Sequence, residues 1–266
     1  MKDLFRPTGI QRMSAGGNAL EADHLAKETL VHLQDHTGTF VSLLGTPSDL
    51  EPLFYGHCIT EGLRIPEIKE LSITSTLEGG YYVRSQEHLV ERTETSAPQR
   101  IVTTSCGACD APGLDDLIEG LPLFSGDFQV VDLDMLALGF EQMKSQQLGF
   151  SATGGMHGAA IHTAPGGIVH LAEDIGRHNA VDKVVGMNWM ANDSTSDQIL
   201  FLSGRCGWDI VAKAARAGIG TIACVGACST LAADTARSLH MRIFSFVKRN
   251  TCVAIGRIEP PADGKP

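Results

Sequence analysis

The sequence offers no stretch that reads as a membrane span or a secretion signal. In its 266 residues no apolar run approaches the length that spans a bilayer. The opening stretch, MKDLFRPTGIQRMSAGGNAL, has no apolar h-region, so no signal peptide is expected and a cytoplasmic location is the default. Positive charge is scarce: 21 Lys and Arg stand against 31 Asp and Glu, a net −10 with neutral histidines. That balance argues against a general nucleic-acid binder. Internal repeats and long low-complexity linkers are missing. The cysteines number seven, and an odd count argues against a complete disulfide framework. In a reducing compartment they are expected as thiols, with Cys58, Cys224 and Cys252 read as small buried hydrophobes. What is present is an ordinary globular composition, 43% hydrophobic and 20% charged, enough for one large domain or two smaller ones.

Residues 1–20 carry Gly, Ser and Pro without a period and predict a flexible N-terminal arm. A smaller α+β part follows over 21–105. There TLVHLQ and TFVSLLG predict paired strands around DHTG. TPSDLEPLFYGHCITEGL predicts a helix with Thr46 as cap, Pro47 in the first position, and Leu50, Leu53, Phe54 and His57 on one face. ELSITSTLEGGYYVRSQ reads as two strands joined at Gly79–Gly80, and RIVTTS as a strand leading into Cys106. DLDMLALGFEQMKSQQLGF is helical through Leu133, Leu136 and Phe140. The larger part spans 106–256, with a tail over 257–266. Its second half alternates: GGIVHLA, QILFLSG, GTIACVG and RIFSFV are strands, while RHNAVDKVVGMNWM, WDIVAKAARAG and STLAADTARSLH are helices. This predicts an α/β fold, a mostly parallel sheet with helices on its faces and ligands beyond the carboxyl ends of the strands.

The polar residues gather at those strand ends. AEDIGRHNAVDK crowds Glu173, Asp174, Arg177, His178, Asn179, Asp182 and Lys183 around one strand-to-helix turn. A capped helix with a solvated first face would explain them; so would a site, because such loops carry function. In the first turn of a helix the dipole disfavours a charged His178. SATGGMHGAAIH supplies Gly154 and Gly155, with His157 among small residues; close packing and an anion site at a following helix start compete as readings. Arg205, in SGRCG, could fork onto phosphate oxygens or form a surface ion pair. Ser229 is placed to cap a helix. FVKRN ends a strand with two cations, an anion site or a solubilising edge.

The remaining question is TTSCGACDAP. Zinc needs three or four ligands, and the pair Cys106 and Cys109 offers two. No second C-x-x-C and no H-x-E occur. Pro112, Gly113 and Asp115 delay the helix that a thioredoxin-like dithiol wants. An accessible loop thiolate suits sulfur carriage, but the spacing alone does not separate that from redox chemistry.

SCGACD, TGGMHGAAI, EDIGRHNAVDKVVG, SGRCGWDIVAKAARAGI and STLAADTA occur in this order, after TPSDLEPLFYGHCITEGL. The series resembles the formate dehydrogenase accessory sulfurtransferases, the FdhD family, over residues 25–256. The resemblance implies a cytidine-deaminase-like fold without the zinc site, and so no metal. It implies a sulfurtransferase that takes persulfide sulfur from a cysteine desulfurase onto Cys106, with Cys109 assisting. It further implies a homodimer that binds the molybdenum (or tungsten) bis-molybdopterin guanine dinucleotide cofactor as its substrate, sulfurates it and serves formate dehydrogenase. The cofactor-binding stretch of the family falls on Phe246, Val247, Lys248, Arg249, Asn250 and Thr251. Gly154, Gly155, His157, Arg177, His178 and Arg205 are the further candidate contacts. Asp110 stands where the family usually has glycine, and Cys206 and Cys228 receive no role. A cofactor-binding chaperone without covalent chemistry and a zinc-dependent nucleoside deaminase are the alternatives.

Overall fold

The computed structural model describes residues 4–67, 70–90, 101–102, 117–163, 166–195 and 197–257. Cys106 and Cys109 lie outside the described residues.

The first elements correct the expected loose arm. Strands β1 (Phe5–Ser14) and β2 (Gly17–Ala26) pair antiparallel along their full length. The polar, period-free sequence fits a hairpin that is solvated on both faces. A five-stranded sheet follows, built from β3 (Thr29–Asp35), β4 (Gly38–Gly45), β5 (Ser72–Ser75), β6 (Tyr81–Arg84) and β7 (Ile101–Val102) in the order β5-β6-β3-β4-β7. β3 and β4 form the expected hairpin, and β5 and β6 pair antiparallel across Gly79–Gly80. Helix α1 (Leu50–Thr60) buries Leu50, Leu53, Phe54 and His57, as their spacing predicts. It is not capped by Thr46. The cap position is Asp49, in left-handed backbone with φ 51°, and its side chain makes no capping bond. Thr46 is instead drawn into contacts with a later helix.

Helix α2 (Leu133–Gln146) is capped by Asp132, whose side chain accepts from the Met135 N–H. The predicted continuous helix breaks at Gln147, and α3 (Leu148–Thr153) begins anew. A six-stranded sheet then forms from β8 (His157–Thr163), β9 (Gly167–Asp174), β10 (Ile199–Leu202), β11 (Thr221–Cys224), β12 (Arg242–Lys248) and β13 (Thr251–Gly256), in the order β13-β12-β11-β10-β8-β9. Helices α4 (Arg177–Met190), α5 (Trp208–Arg216) and α6 (Thr230–Ser238) fall where the alternation put them. Ser229 caps α6 by accepting from the Ala232 N–H.

The sheet is mixed, not mostly parallel. Only β10-β11 and β11-β12 are parallel; β8-β9, β8-β10 and β12-β13 are antiparallel. The parallel rule holds where a helix provides the crossover. It fails at β8-β9 and β12-β13, where short connections make hairpins.

Strand β10, ILFL, explains the layering. Leu200 and Leu202 join one apolar cluster with Val181, Val184, Ile210 and Val211, on the side of α4 and α5. Ile199 and Phe201 join another with Leu136 and Met143 of α2. A strand covered on both faces reads as an unbroken apolar run. The N-terminal sheet packs Val31, Leu33 and Leu43 on Leu53, Phe54 and Tyr55 of α1.

Helices α1 and α4 hold the two halves together. A Cβ added at Gly56 would fall 1.6 Å from the Asp182 carbonyl oxygen, and one at Gly186 1.9 Å from that of Pro52. The two backbones therefore touch with no side chain between them. This makes α4 a central helix, with His178 through Gly186 all buried.

Candidate functional site

The carboxyl ends of the central strands are sewn edge to edge. The Ser203 N–H donates to the Gly158 carbonyl at 3.0 Å, and Gly158 N–H donates to Ser203 Oγ at 2.8 Å. Gly226 N–H reaches the Gly204 carbonyl at 3.1 Å, and Phe246 N–H reaches the Gly226 carbonyl at 3.1 Å. These bonds fix the start of β8, the β10–α5 turn, the β11–α6 turn and the end of β12 in one row. His157, Arg205 and Phe246 are thereby brought together from positions far apart in sequence. A Cβ at Gly204 would lie 3.2 Å from His157 Nδ1, so the absent side chain leaves room for the imidazole.

Arg177 and His178 join this row from the first turn of α4. Arg177 donates to Asp209 Oδ2 at 3.3 Å, and His178 Nε2 makes a short contact with the same oxygen. With a carboxylate as partner, Nε2 carries the proton and donates, leaving Nδ1 as an acceptor in the neutral ring. Burial lowers the His178 pKa to about 4, against the opposing pull of Asp209. A neutral His178 was expected; burial is its leading cause. His157 is also held below its usual value, by burial first and then by Arg177, with Arg205 adding a smaller push. The face thus presents two guanidiniums beside the neutral, half-buried His157 ring; His178, expected as a contact, is instead buried against Asp209. The amide ends of α5 and α6 abut the face.

The sequence reading missed Asp209, the acceptor shared by Arg177 and His178. Its signal was an acidic residue in the first turn of WDIVAK, where the helix dipole favours it; only the fold shows what it faces. Gly154 and Gly155 form an exposed turn just before His157, with Gly154 at φ 65°. The expected helix start after them is absent: the chain enters β8 instead, so no helix amides are offered there. At the end of the row, Phe246 is 48% exposed and has φ 51°. Val247 is buried in the core and presents no side chain for binding. Lys248, Arg249, Asn250 and Thr251 make the exposed turn into β13. Among the described residues no ion pair ties Arg205, Lys248 or Arg249.

The rest of the EDIGRHNAVDK cluster is framework. Glu173 accepts from the Gly149 and Phe150 N–H groups at 2.8 and 2.7 Å, holding the start of α3. Asp174 accepts from Lys183 Nζ at 2.6 Å and from the Thr46 N–H at 3.0 Å. Lys183 also donates to the Thr46 carbonyl at 2.9 Å, and Asn179 to the Leu44 carbonyl at 2.8 Å. Asp182 receives Thr60 Oγ1 at 2.7 Å, Lys213 Nζ at 2.7 Å and His57 Nδ1 at 3.0 Å. Lys213 and His57 hold the Asp182 carboxyl well below the usual carboxylate range although burial alone would raise it. Among the described residues one group has metal-ligand spacing, Asp35, His36 and His88 on the N-terminal sheet. Its carboxylate already accepts from Thr37 N–H, Thr37 Oγ1 and Leu89 N–H.

A profile of the FdhD/NarQ family matches residues 26–255. The chain belongs to the FdhD/NarQ family. It is 29% identical over 270 residues to the sulfur carrier protein FdhD of Burkholderia mallei, covering 96% of this chain and 98% of that one. To the protein of the same name from Bordetella petrii it is 32% identical over 243 residues, 90% and 86% of the two chains. A crystal structure from Desulfotalea psychrophila, described as a candidate formate dehydrogenase accessory protein, superposes with a TM-score of 0.72 at 21% identity, covering 96% and 98% of the chains. The family fold is therefore the fold of this chain. No helix among the described residues is long and apolar enough to cross a membrane.

Proposed function

We propose that this chain is a sulfur carrier protein required for formate dehydrogenase activity, acting as a sulfurtransferase with a cysteine persulfide intermediate. The thiolate of Cys106 attacks the terminal sulfur of a cysteine desulfurase persulfide, the S–S bond breaks, and the desulfurase thiolate leaves. Cys109 assists. The acceptor is the molybdenum or tungsten bis-molybdopterin guanine dinucleotide cofactor, held as a substrate by a homodimer on a cytidine-deaminase-like frame and sulfurated before formate dehydrogenase receives it.

The observation that carries this reading is the row of strand ends, in a chain whose relatives are named sulfur carriers. A guanine dinucleotide presents phosphates, hydrogen-bonding edges and an aromatic face. Arg177 and Arg205 suit the phosphates, with Lys248 and Arg249 as further cations. The exposed ring of Phe246 suits the base, and Gly154 and Gly155 let a ligand approach the backbone. Neutral His157 supplies a hydrogen bond without adding charge, and the buried His178 holds Asp209 beside Arg177.

The test is intact-mass measurement after incubation with a cysteine desulfurase and cysteine. The expected result is a gain of one sulfur that reduction removes and that Cys106→Ala abolishes. No gain, or full formate dehydrogenase activity supported by Cys106→Ala, refutes the covalent step and leaves a cofactor-binding chaperone.

A further inference from the structure

Two cysteines that the sulfur-carrier reading does not use meet on the same row of strand ends. Cys206 follows β10 and Cys228 follows β11, and the two residues are partners in an isolated parallel bridge. Its backbone bonds run from Cys206 N–H to the Ala227 carbonyl at 3.0 Å and from Ser229 N–H to the Cys206 carbonyl at 3.2 Å. Neighbouring strands lie about 4.8 Å apart, within the roughly 4.4–6.8 Å between α-carbons that a disulfide spans. Paired residues in register point to the same side of a sheet, and each thiol donates to the carbonyl of the residue that follows it, Cys206 Sγ to Gly207 at 3.9 Å and Cys228 Sγ to Ser229 at 3.4 Å. Both are free thiols; Cys206 is buried and Cys228 is half-buried. Each directly precedes a helix cap residue, Gly207 of α5 and Ser229 of α6.

We propose that Cys206 and Cys228 form a second thiol site, separate from Cys106 and Cys109, that reacts with low-molecular-weight disulfides and closes to an intramolecular disulfide. The roles follow from exposure. Cys228 is the attacking thiol, and Cys206 resolves. The neighbouring Cys206 thiol and the charge of Arg237 favour the Cys228 thiolate, while the neighbouring Cys228 and burial hold Cys206 protonated. Cys224 does not compete, since burial pushes its thiol up to about 12.

The Cys228 thiolate attacks one sulfur of a disulfide RSSR. The S–S bond breaks, and RS⁻ leaves with the electron pair and takes up a proton, giving a Cys228–S–S–R mixed disulfide. Cys206 then loses its proton and attacks Cys228 Sγ, expelling the second RSH. Two protein thiols are oxidised to one disulfide, and RSSR is reduced to two RSH. Closure ties the turn carrying Arg205 to the turn before α6.

Oxidised glutathione is the probe. The full-length protein is incubated with it, alkylated, digested without reduction and mapped by mass spectrometry. The expected product is a linked Cys206–Cys228 peptide, formed equally in a Cys106→Ala/Cys109→Ala background; that independence keeps this test apart from the persulfide test. Cys206→Ser should stop at a glutathione adduct on Cys228, and Cys228→Ser should leave Cys206 unmodified. Before oxidation, Cys228 should alkylate at least roughly tenfold faster than Cys224. Free Cys206 and Cys228 after exposure to oxidised glutathione overturn the proposal. So does a stable Cys228 adduct in the wild type that never closes. The linked peptide is read in the wild-type protein, so misfolding of a variant does not decide the outcome.

Discussion

Gly56→Ala should be among the most damaging single-methyl changes in this protein. The added carbon would sit 1.6 Å from the Asp182 carbonyl oxygen, 2.5 Å from its carbon and 2.9 Å from the Gly186 nitrogen. Comfortable nonbonded separations are about 3.5–4.0 Å, so α1 and α4 must part by about 2 Å. No flexible side chain stands at the contact to absorb the shift; the obstacle is backbone. Overpacking costs about 1–3 kcal/mol by itself. The shift also carries His57 and Thr60 away from Asp182, which they reach at 3.0 and 2.7 Å. Leaving a buried carboxylate short of donors costs about 1–3 kcal/mol more. The sum is about 2–6 kcal/mol, and for a chain of this size each kcal/mol lowers Tm by about 2–4 °C. The expected fall is therefore at least about 4 °C by calorimetry or circular dichroism. Gly186→Ala should behave alike, since its carbon meets the Pro52 carbonyl oxygen at 1.9 Å. The double variant should lose less than the sum, because the first methyl has already separated the helices. Gly9→Ala is the control: nothing lies within 4 Å of its added carbon, so its effect should stay within about 0.5 kcal/mol. A Gly56→Ala protein melting within about 2 °C of wild type would refute the close backbone crossing.

Two further predictions concern the face. His178 should titrate near 4 rather than 6.5, observable as ring shifts by NMR. Its folded pKa is depressed, so its contribution to stability is complete above 6.5 and is lost as pH falls toward 4. Asp182 has the same sign at lower pH, its contribution present above the ordinary carboxylate value of 3.8 and lost on further acidification. A His178 ring that protonates at or above 6.5 would show that Asp209 outweighs burial. Phe246→Gly should raise stability by about 1 kcal/mol, because φ 51° strains a side-chain-bearing residue and Phe246 is 48% exposed. The same change should weaken binding of GDP, used as a probe of the base site. Stabilisation with unchanged GDP affinity would remove Phe246 from the site.

The sequence was most legible where one physical signal controlled one outcome. The limits of α4 match RHNAVDKVVGMNWM because a glycine turn precedes it and no proline interrupts it; Gly186 is tolerated because it packs on Pro52. Ser229 capped as predicted because capping is local. The errors came where the outcome depended on distant partners. Thr46 has a cap's chemistry, yet its amide is taken by Asp174 and its carbonyl by Lys183. The loop from 154 to 158 is rich in small residues, but these let β8 pack: an added carbon at Gly158 would meet Gln147 and Met143. The parallel sheet was over-extended because strand alternation does not reveal which connections are too short for a crossover.

The density of charge in EDIGRHNAVDK drew attention to a site, and that inference needs dividing. Asp174, Asn179, Asp182 and Lys183 are buried, and each makes at least one hydrogen bond to a segment of the N-terminal half. Buried charges are costly unless paired; Asp174 pairs with Lys183 and Asp182 with Lys213, and the bonds this cluster makes to Leu44, Thr46, His57 and Thr60 cross between the halves rather than contact a ligand. Arg177 and His178, on the same helix, face the other way, toward Asp209 and the strand ends. The framework and the face are therefore coupled through one rigid element. A shift of α4 relative to α1 moves Arg177 and His178 against His157 and Arg205. On this geometry a Gly56→Ala protein that still folds should bind GDP more weakly than wild type, although residue 56 lies on α1, outside the row of strand ends. A variant that is destabilised but keeps wild-type affinity would show that the face is set by α5 and Asp209 alone, independent of the crossing beneath it.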